Sequence, residues 1–231
     1  MKEKPELEIK QVKMSCDDFD NDDKRIKSSL LPAKHSALYI VGPPASGKSN
    51  LIYQLLHNKH FYKRYFDSVN IWSPSLHTFT TPFKVQPESI HTEFSVDEIN
   101  NVLEELDHTE KNLLLFDDFI ASVNSVGKSG PLRKIFFNRR HKGVSIWITS
   151  QRYNLLDLSL RNNLSHLILF RISKSELELI HKEKISTISL DDFVALCDFV
   201  FSEPHSFLYV SLNPIKFFRN FNPISVEKSV S

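Results

Sequence analysis

The chain has 231 residues, of which 41% are hydrophobic, so it can form one large α/β domain or one domain with tails. A formal net charge of +1 excludes a globally basic protein, so any nucleic-acid binding must come from local patches. The two cysteines, Cys16 and Cys197, stand in no metal-binding spacing and are predicted to be free thiols, and no apolar stretch approaches the roughly 20 residues of a membrane anchor.

Residues 1–36 form the first predicted unit, a charged and partly disordered N-terminal arm. Its basic residues flank an acidic cluster at 17–23. The start of the chain lacks the apolar segment of a signal peptide, so the protein is predicted not to be secreted. An alternative is that the arm docks on a neighbouring subunit or on another partner protein.

A strand followed by a helix is predicted to open the core. Ala37–Val41 is a short apolar run rich in β-forming residues, which is typical of a buried parallel strand. The segment 48–58 has helical spacing of its apolar side chains, which are Leu51, Ile52, Leu55 and Leu56. The segment 42–47 therefore joins a strand to a helix.

Further strands and helices alternate along the chain. Strands are predicted at 68–72, 112–116, 144–150, 167–170 and 207–212. Helices are predicted at 95–106, 132–141 and 190–201, and a flexible loop at 121–131. This alternation predicts an α/β fold with a mostly parallel central sheet and helices on both faces. One domain would span 37–215, followed by a polar C-terminal tail at 216–231.

Residues 42–49 match the pattern GxxxxGK[ST] at every fixed position. Gly42 and Gly47 let the backbone wrap closely around phosphates, while N–H groups and a helix N-terminus supply positive potential. Lys48 is predicted to reach the β and γ phosphates of ATP, and Ser49 to bind Mg²⁺. The strand and helix on either side favour a RecA-like P-loop NTPase over a simple Gly-Pro turn. The predicted nucleotide-binding residues are Gly42, Pro43, Pro44, Ala45, Ser46, Gly47, Lys48, Ser49 and Asn50.

Three polar residues follow later strands at the same predicted edge of the sheet, where ligands of such sheets bind. Asp117, after the strand 112–116, is predicted to hold Mg²⁺ through water. Asp118 is predicted to orient or deprotonate the attacking water, and Gln151 to sense the γ-phosphate or position water. The alternatives are that the two aspartates cap the next helix and that Gln151 is an ordinary loop residue.

A basic segment precedes the strand 144–150. Its basic residues are Arg133, Lys134, Arg139, Arg140, His141 and Lys142. One or more of these arginines is a candidate finger that stabilises transition-state charge at a neighbouring subunit's site, and Arg161 is a second candidate. The alternatives for the cluster are contacts with DNA phosphates and a solvated helix face. The phenylalanines near the C-terminus are predicted to be core residues rather than base-stacking platforms.

Four blocks of the sequence occur in the order of a known family. They are GPPASGKSNL at 42–51, LLLFDD at 113–118, NRRHKGVSIWITSQ at 138–151 and LRNNLSHLILFR at 160–171. On these blocks the chain resembles the genome-packaging ATPases of large double-stranded DNA viruses, virophages and related mobile elements, within the FtsK–HerA superfamily of ring-shaped DNA translocases.

The resemblance implies a role for each matching residue. It assigns phosphate and Mg²⁺ binding to Lys48 and Ser49, the metal to Asp117, the catalytic carboxylate to Asp118 and the sensor glutamine to Gln151. Arg140 matches the arginine of a Gly-Arg-His-like segment and is the first choice for a finger that acts in trans. Arg139 replaces the family's frequent glycine, which leaves open which of the two adjacent arginines acts.

The resemblance also implies an activity and partners. Members of the family are ATP- and Mg²⁺-dependent enzymes that work as homo-oligomeric rings and pump double-stranded DNA into a preformed capsid. The implied partners are double-stranded DNA, further copies of the chain and a capsid or portal-vertex protein. The implied location is the host cytoplasm, a viral factory or the virion.

Two other functions stay open on the residues alone. One is a small P-loop kinase, against which stands the lack of an Arg-rich lid. The other is an ATP-dependent switch or scaffold without turnover, against which stands the second carboxylate, Asp118, since a switch does not need it.

Overall fold

A computed structural model describes residues 7–11, 31, 35–74, 89–93, 95–119 and 131–228. The strands are β1 (Leu7–Gln11), β2 (Ala37–Val41), β3 (Ser68–Trp72), β4 (Ile90–His91), β5 (Asn112–Phe116), β6 (Val144–Ser150), β7 (His166–Leu169), β8 (Leu208–Leu212), β9 (Ile215–Arg219) and β10 (Asn222–Lys228). The helices are α1 (Lys48–His57), α2 (Val96–Glu105), α3 (Pro131–Asn138), α4 (Leu158–Arg161), α5 (Lys174–Lys184) and α6 (Leu190–Val200), with a 3₁₀ turn at Tyr153–Leu155.

The strands described form one sheet in the order β1-β10-β9-β8-β7-β2-β6-β5-β3-β4. From β7 to β4 the neighbouring strands run parallel, and from β7 to β1 they run antiparallel. The parallel part contains five of the six predicted strands, and the sixth, predicted at 207–212, is the antiparallel β8. The predicted α/β class with a mostly parallel sheet is confirmed. The P-loop strand β2 lies between β6 and β7, near the middle of the sheet.

Helices cover both faces of the sheet, as the sequence predicts. On one face, Leu38 and Ile40 of β2 pack in the same apolar cluster as Ile52 and Leu55 of α1. On the other face, the alternate residues of β2 join a cluster that includes Phe193 of α6. Because β2 has hydrophobic neighbours on both sides, all five of its residues are buried, which explains its continuous apolar run.

The basic helix predicted at 132–141 is shorter in the structure. Helix α3 ends at Asn138, and residues 139–143 form a turn that leads into β6. The guanidinium Nη1 of Arg139 donates to the carbonyl of Phe136 at 3.0 Å, which satisfies a carbonyl in the last turn of the helix. Arg139 thus closes the helix instead of extending it.

Residues 216–228 do not form a polar tail, in contrast to the prediction, because they contribute most of β9 and all of β10 to the sheet. Phe217 packs on one face of the sheet and Phe218 on the other, while Ile224 of β10 is also buried. The same strands also carry polar residues, Lys216 and Arg219 in β9 and Ser225 in β10, which give the segment its polar composition.

The N-terminal strand β1 pairs with β10 from Leu7↔Lys228 to Gln11↔Ile224. Part of the arm predicted at 1–36 is therefore a strand, whereas 12–30 and Cys16 lie outside the described residues. The loop predicted at 121–131 also lies outside them up to residue 130. Among the residues that are described, no helix combines the length and the apolar character needed to cross a membrane.

Candidate active site

The P-loop runs from the end of β2 to the first turn of α1, as predicted. Gly47 has φ +108, a value that suits glycine, and it directly precedes α1. Gly42 donates its N–H to the carbonyl of Ser150 at 3.1 Å. A Cβ at Gly42 would lie 2.7 Å from Cβ of Phe170, so the loop passes too close to the end of β7 for any larger residue. The two glycines thus meet local requirements of this loop.

Lys48 lies across its own loop. Its Nζ donates to the carbonyl oxygens of Gly42 at 2.7 Å and Pro43 at 3.1 Å. Burial lowers the pKa of Lys48, and the charges of Asp118 and Asp117 oppose this shift. A buried ammonium group held only by carbonyl oxygens is ready to exchange these partners for an anion with a formal negative charge.

The P-loop also contains a hydroxyl with no partner. Ser46 Oγ is buried and makes no hydrogen bond to any residue that the structure describes. A buried donor of this kind is costly unless a ligand satisfies it. Together with the turn at Gly47 and the N-terminus of α1, the unpartnered Ser46 hydroxyl fits a loop built to surround a phosphate group.

Asp117 is held firmly at the end of β5. Its Oδ1 accepts a hydrogen bond from Thr149 Oγ1 at 2.6 Å, and its Oδ2 accepts one from Ser73 Oγ at 3.1 Å. Burial raises the pKa of this carboxyl group, and the two hydroxyl donors oppose the rise. With both oxygens fixed, Asp117 has the oxygen chemistry and the rigidity that suit a Mg²⁺ site, and Ser49, the other predicted ligand, lies in the first turn of α1.

Asp118 is exposed next to this buried carboxylate. Its φ is +57, a left-handed conformation that is uncommon outside glycine and is tolerated best by Asn and Asp. The backbone N–H of Asp118 donates to Thr149 Oγ1 at 3.0 Å. One hydroxyl group therefore contacts both the Asp117 carboxylate and the Asp118 backbone, and couples the positions of the two aspartates.

Thr149 and Ser73 are residues that sequence reasoning missed. Both are fully buried, and each lies at or just after the C-terminal end of a parallel strand. That position is the signal by which they could have been found, since polar residues there face the ligand edge of the sheet.

Gln151 is exposed immediately after β6. The preceding carbonyl, that of Ser150, accepts the hydrogen bond from Gly42, so Gln151 is adjacent to the start of the P-loop. The structure thus brings Lys48, Asp117, Asp118 and Gln151 to one edge of the sheet, as the sequence predicts. Their individual roles stay predictions.

Hydrogen bonds from Tyr39 of β2 hold the turn that follows β6. The hydroxyl group of Tyr39 lies 2.8 Å from Ser150 Oγ, 2.9 Å from the carbonyl oxygen of Arg152 and 3.2 Å from that of Tyr153. Ser150 Oγ also donates to the carbonyl of Arg152. The segment that carries Gln151 is therefore bound to the strand that carries the P-loop.

Arg161 is a structural residue, which contradicts its prediction as a second candidate finger. It is 8% exposed, and its Nε and Nη2 donate to the Glu183 carboxylate at 2.9 and 2.7 Å. Its Nη1 donates to the carbonyl of Leu156 at 2.6 Å. With the bond from Nη1 to the carbonyl of Asn154, four of the five N–H donors of this guanidinium group are used inside its own fold, which holds it away from a neighbouring subunit.

The two adjacent arginines of the basic segment, Arg139 and Arg140, differ in their exposure. Arg139 is 8% exposed, and its Nε donates to the carbonyl of His35 at 3.0 Å in addition to the bond to Phe136. Arg140, by contrast, is exposed. The sequence leaves open whether Arg139 or Arg140 is the candidate arginine finger. Of the two, Arg140 is the one that is exposed and can reach another chain.

Comparison with solved structures supports the predicted fold. The genome packaging NTPase B204 from Sulfolobus turreted icosahedral virus 2, in complex with ATP-gammaS, aligns with a TM-score of 0.60 at 16% identity over 82% of this chain and 98% of that chain. The DNA-packaging ATPase B204 from Sulfolobus Turreted Icosahedral Virus aligns with a TM-score of 0.55 at 15% identity over 87% of this chain and 100% of that chain. Identities this low show a shared fold alone.

A more distant structure shares the same architecture. The cytoplasmic domain of the Type VII secretion ATPase EccC from Thermomonospora curvata aligns with a TM-score of 0.51 at 13% identity, over 86% of this chain and 26% of that one. The predicted RecA-like P-loop NTPase fold is thereby confirmed.

Sequence comparison identifies the family. No curated protein matches the chain. The model of the family described as "Poxvirus A32 protein" matches residues 23–207, which include the four blocks that carry the resemblance. The chain belongs to the poxvirus A32 protein family.

Proposed function

We propose that this protein is an ATP-hydrolysing motor that packages viral double-stranded DNA. The observation that carries the proposal is the convergence of Lys48, Asp117 and Asp118 at the edge of the sheet, with Thr149 joining the two aspartates. A site that only binds nucleotide needs no second carboxylate in a fixed position beside the first. Membership of the poxvirus A32 family and the shared fold with B204, a DNA-packaging ATPase, support the same function.

The phosphates of ATP would bind at the P-loop. Lys48 exchanges the carbonyl oxygens of Gly42 and Pro43 for phosphate oxygens, and the free hydroxyl of Ser46 gains a partner. Ser49 and Asp117 would hold Mg²⁺, Asp117 through water, and the ion would neutralise charge on the phosphates. The hydroxyl groups of Thr149 and Ser73 orient the Asp117 carboxylate for this role.

Asp118 and Gln151 act on the attacking water. Asp118 is exposed beside Asp117, so its carboxylate can accept the proton of a water molecule that attacks the γ-phosphate. Gln151 lies on the neighbouring strand end and positions that water or senses the γ-phosphate. Hydrolysis breaks the bond between the γ-phosphorus and the bridging oxygen, and releases ADP and phosphate.

Assembly into a homo-oligomeric ring completes the proposed site. The exposed Arg140 reaches the γ-phosphate bound by a neighbouring copy and stabilises transition-state charge there. The partners are then double-stranded DNA, further copies of the chain and a capsid or portal-vertex protein. Such a motor works where genomes are packaged, in the host cytoplasm or a viral factory, and can remain with the virion.

Phosphate release measured with and without linear double-stranded DNA tests this function. A translocase is expected to hydrolyse ATP faster on DNA, because each turnover is coupled to movement along a track. Lys48→Ala should abolish both basal and stimulated turnover, because it removes the cation that binds the β and γ phosphates. His60→Ala, an exposed change in the turn after α1, should leave both rates unchanged.

Two outcomes of the same assay would contradict the motor. Turnover that ignores DNA but rises with a nucleoside acceptor would indicate a small P-loop kinase. Tight ATP binding without any phosphate release, with or without DNA, would indicate a nucleotide-dependent switch or scaffold.

Replacement of Thr149 tests the coupling of the two aspartates. Thr149→Val keeps the shape of the side chain and removes the hydroxyl that contacts Asp117 and Asp118. Loss of such a hydrogen bond behind a metal ligand typically costs 10–100-fold in metal affinity, so we expect the Mg²⁺ concentration for half-maximal turnover to rise about tenfold. The measurement is a Mg²⁺ titration of ATPase activity at saturating ATP.

Thr149→Ser is the matched control for this substitution. It keeps the hydroxyl group and should retain the wild-type Mg²⁺ midpoint. An unchanged midpoint in Thr149→Val would show that Thr149 does not orient the metal-binding carboxylate.

A further inference from the structure

A cleft of about 350 Å³ lies on the side of the P-loop that the predicted catalytic residues do not use. One wall is the P-loop segment from Pro43 to Ser46, of which residues 43–45 are exposed, and Phe170 and Arg171 after β7 also line the cleft. The other wall is the loop 201–206, which connects α6 to β8. The sequence assigns nucleotide to the P-loop wall of this cleft, but no ligand to Phe170, Arg171 or the loop 201–206.

The order of the strands determines which part of a nucleotide can reach the cleft. Asp117 and Asp118 follow β5, and Gln151 follows β6, on one side of the P-loop strand β2. The cleft lies beyond the opposite neighbour, β7, because Phe170 and Arg171 follow that strand directly. If the γ-phosphate faces the carboxylates, the nucleoside end of the same molecule points toward β7 and β8.

The far wall of the cleft is held in place by the C-terminal strands. Arg171 donates to the carbonyl of Phe201, and Arg219 Nη2 lies 3.0 Å from the Glu203 carboxylate. At the other end of the loop, Asn220 Nδ2 donates to Ser206 Oγ at 3.3 Å. Both ends of the loop are thus tied to residues outside it, so the cleft is a built feature of this fold.

His205 connects this wall to the P-loop. Its Nδ1 donates to the carbonyl of Ser46 at 3.1 Å, although the two residues are far apart in the sequence. His205 has φ +59, in the left-handed region, and its ring is exposed in the cleft wall. Phe170 and Phe201, which line the same cleft, are buried, so the exposed ring of His205 is the surface in this cleft on which a planar base can stack.

We propose that this cleft holds the base and ribose of the bound nucleotide and that His205 binds them. The proposal rests on the proposed function, since it assumes that the P-loop binds the triphosphate of ATP. It adds a binding site for the nucleoside. It also gives the C-terminal strands a role in nucleotide binding, because Arg219 of β9 and Asn220 position the loop 201–206. His205 then has two roles: its ring contacts the nucleoside, and its Nδ1 donates to the backbone carbonyl of Ser46.

The substitution His205→Asn separates these two roles. Asn tolerates the left-handed backbone, and its Nδ2 can replace Nδ1 as the donor to Ser46, but it lacks the ring. We expect the Kd for ATP to rise about tenfold, which corresponds to the loss of one stacking contact. The Kd for inorganic tripolyphosphate, which has the phosphates without a nucleoside, should stay at the wild-type value.

Equilibrium binding of both probes to the full chain, in wild type, His205→Asn and His60→Ala, is the measurement. Unchanged ATP binding in His205→Asn would overturn the assignment of the cleft. Equal weakening of ATP and tripolyphosphate would also overturn it, because His205 would then only support the P-loop. Failure of the wild-type chain to bind either probe would instead contradict the proposed function.

Discussion

Asp118→Asn is expected to lower the turnover number for ATP by about 10²–10⁴-fold, the range typical of a lost general base, while ATP still binds. The amide cannot take a proton from water, whereas Lys48, Asp117 and the P-loop remain in place. Asn is the sharpest replacement, because it also tolerates the left-handed φ of +57 at this position. Any loss of activity can then be assigned to the carboxylate and not to backbone strain.

The measurement is phosphate release under single-turnover conditions, together with the Kd for ATP. Asp117→Asn is the informative comparison, because it should raise the Mg²⁺ requirement as well as slow the reaction. Asp198→Asn, which changes an exposed aspartate on α6, should behave like wild type. Wild-type turnover in Asp118→Asn would remove this residue from the mechanism.

Arg161→Ala is expected to destabilise the fold by about 1–3 kcal/mol, the range for leaving the charged partner of a hydrogen bond unsatisfied. The substitution leaves the Glu183 carboxylate, which is 13% exposed, without its bidentate partner. It also removes the donor to the carbonyl of Leu156, in the segment that follows Gln151. Chemical denaturation measures the change in the free energy of unfolding.

The contrast with Arg140 makes this prediction specific. Arg140→Ala should change stability by no more than about 0.5 kcal/mol, as is usual for an exposed side chain, yet should lose ATPase activity. If Arg140 acts in trans, Arg140→Ala chains mixed with Lys48→Ala chains should recover part of the activity. Normal stability with lost activity in Arg161→Ala would contradict its structural role.

The pH dependence of stability gives an independent readout of the Arg161–Glu183 pair. Burial raises the pKa of Glu183, but the hydrogen bonds from Arg161 and Tyr153 outweigh it and hold this pKa below its ordinary value of 4.5. The folded chain therefore binds fewer protons at Glu183 than the unfolded chain does. The stabilisation is fully present above pH 4.5 and is lost as the pH falls through the folded pKa. The stability difference between wild type and Glu183→Gln should shrink in that acid range.

Most of the parallel sheet was predictable because its strands are buried on both faces. β2 is a continuous apolar run, β5 is one after Asn112, and β6 is buried along its whole length although it contains serine and threonine. Each of the three is followed by a glycine or a polar residue that marks the ligand edge. β9 and β10 were missed because polar residues surround the two adjacent phenylalanines of β9 and the few apolar residues of β10, so that their average composition resembles a tail. Helix α5 was missed for a related reason, since only Leu177 and Ile180 in it are buried.

Asp117, Asp118 and Gln151 could be predicted because they follow directly after strands that the sequence makes recognisable. The residues that support them cannot be identified in this way. Ser73 and Thr149 support Asp117 only once β3, β5 and β6 are paired. The partner of Arg161 lies on α5, a helix that the sequence analysis did not predict, so an arginine fixed in the fold was mistaken for a candidate finger. His205 and Ser46 are far apart in the sequence, so their hydrogen bond could not be predicted without the structure.

ATP turnover on linear double-stranded DNA of increasing length tests the central claim most directly. A motor that moves along DNA is expected to hydrolyse ATP faster on longer DNA at equal concentration of ends, with no stimulation in Asp118→Asn. A wild-type rate that does not depend on the presence or length of the DNA would contradict ATP-driven DNA packaging by this site.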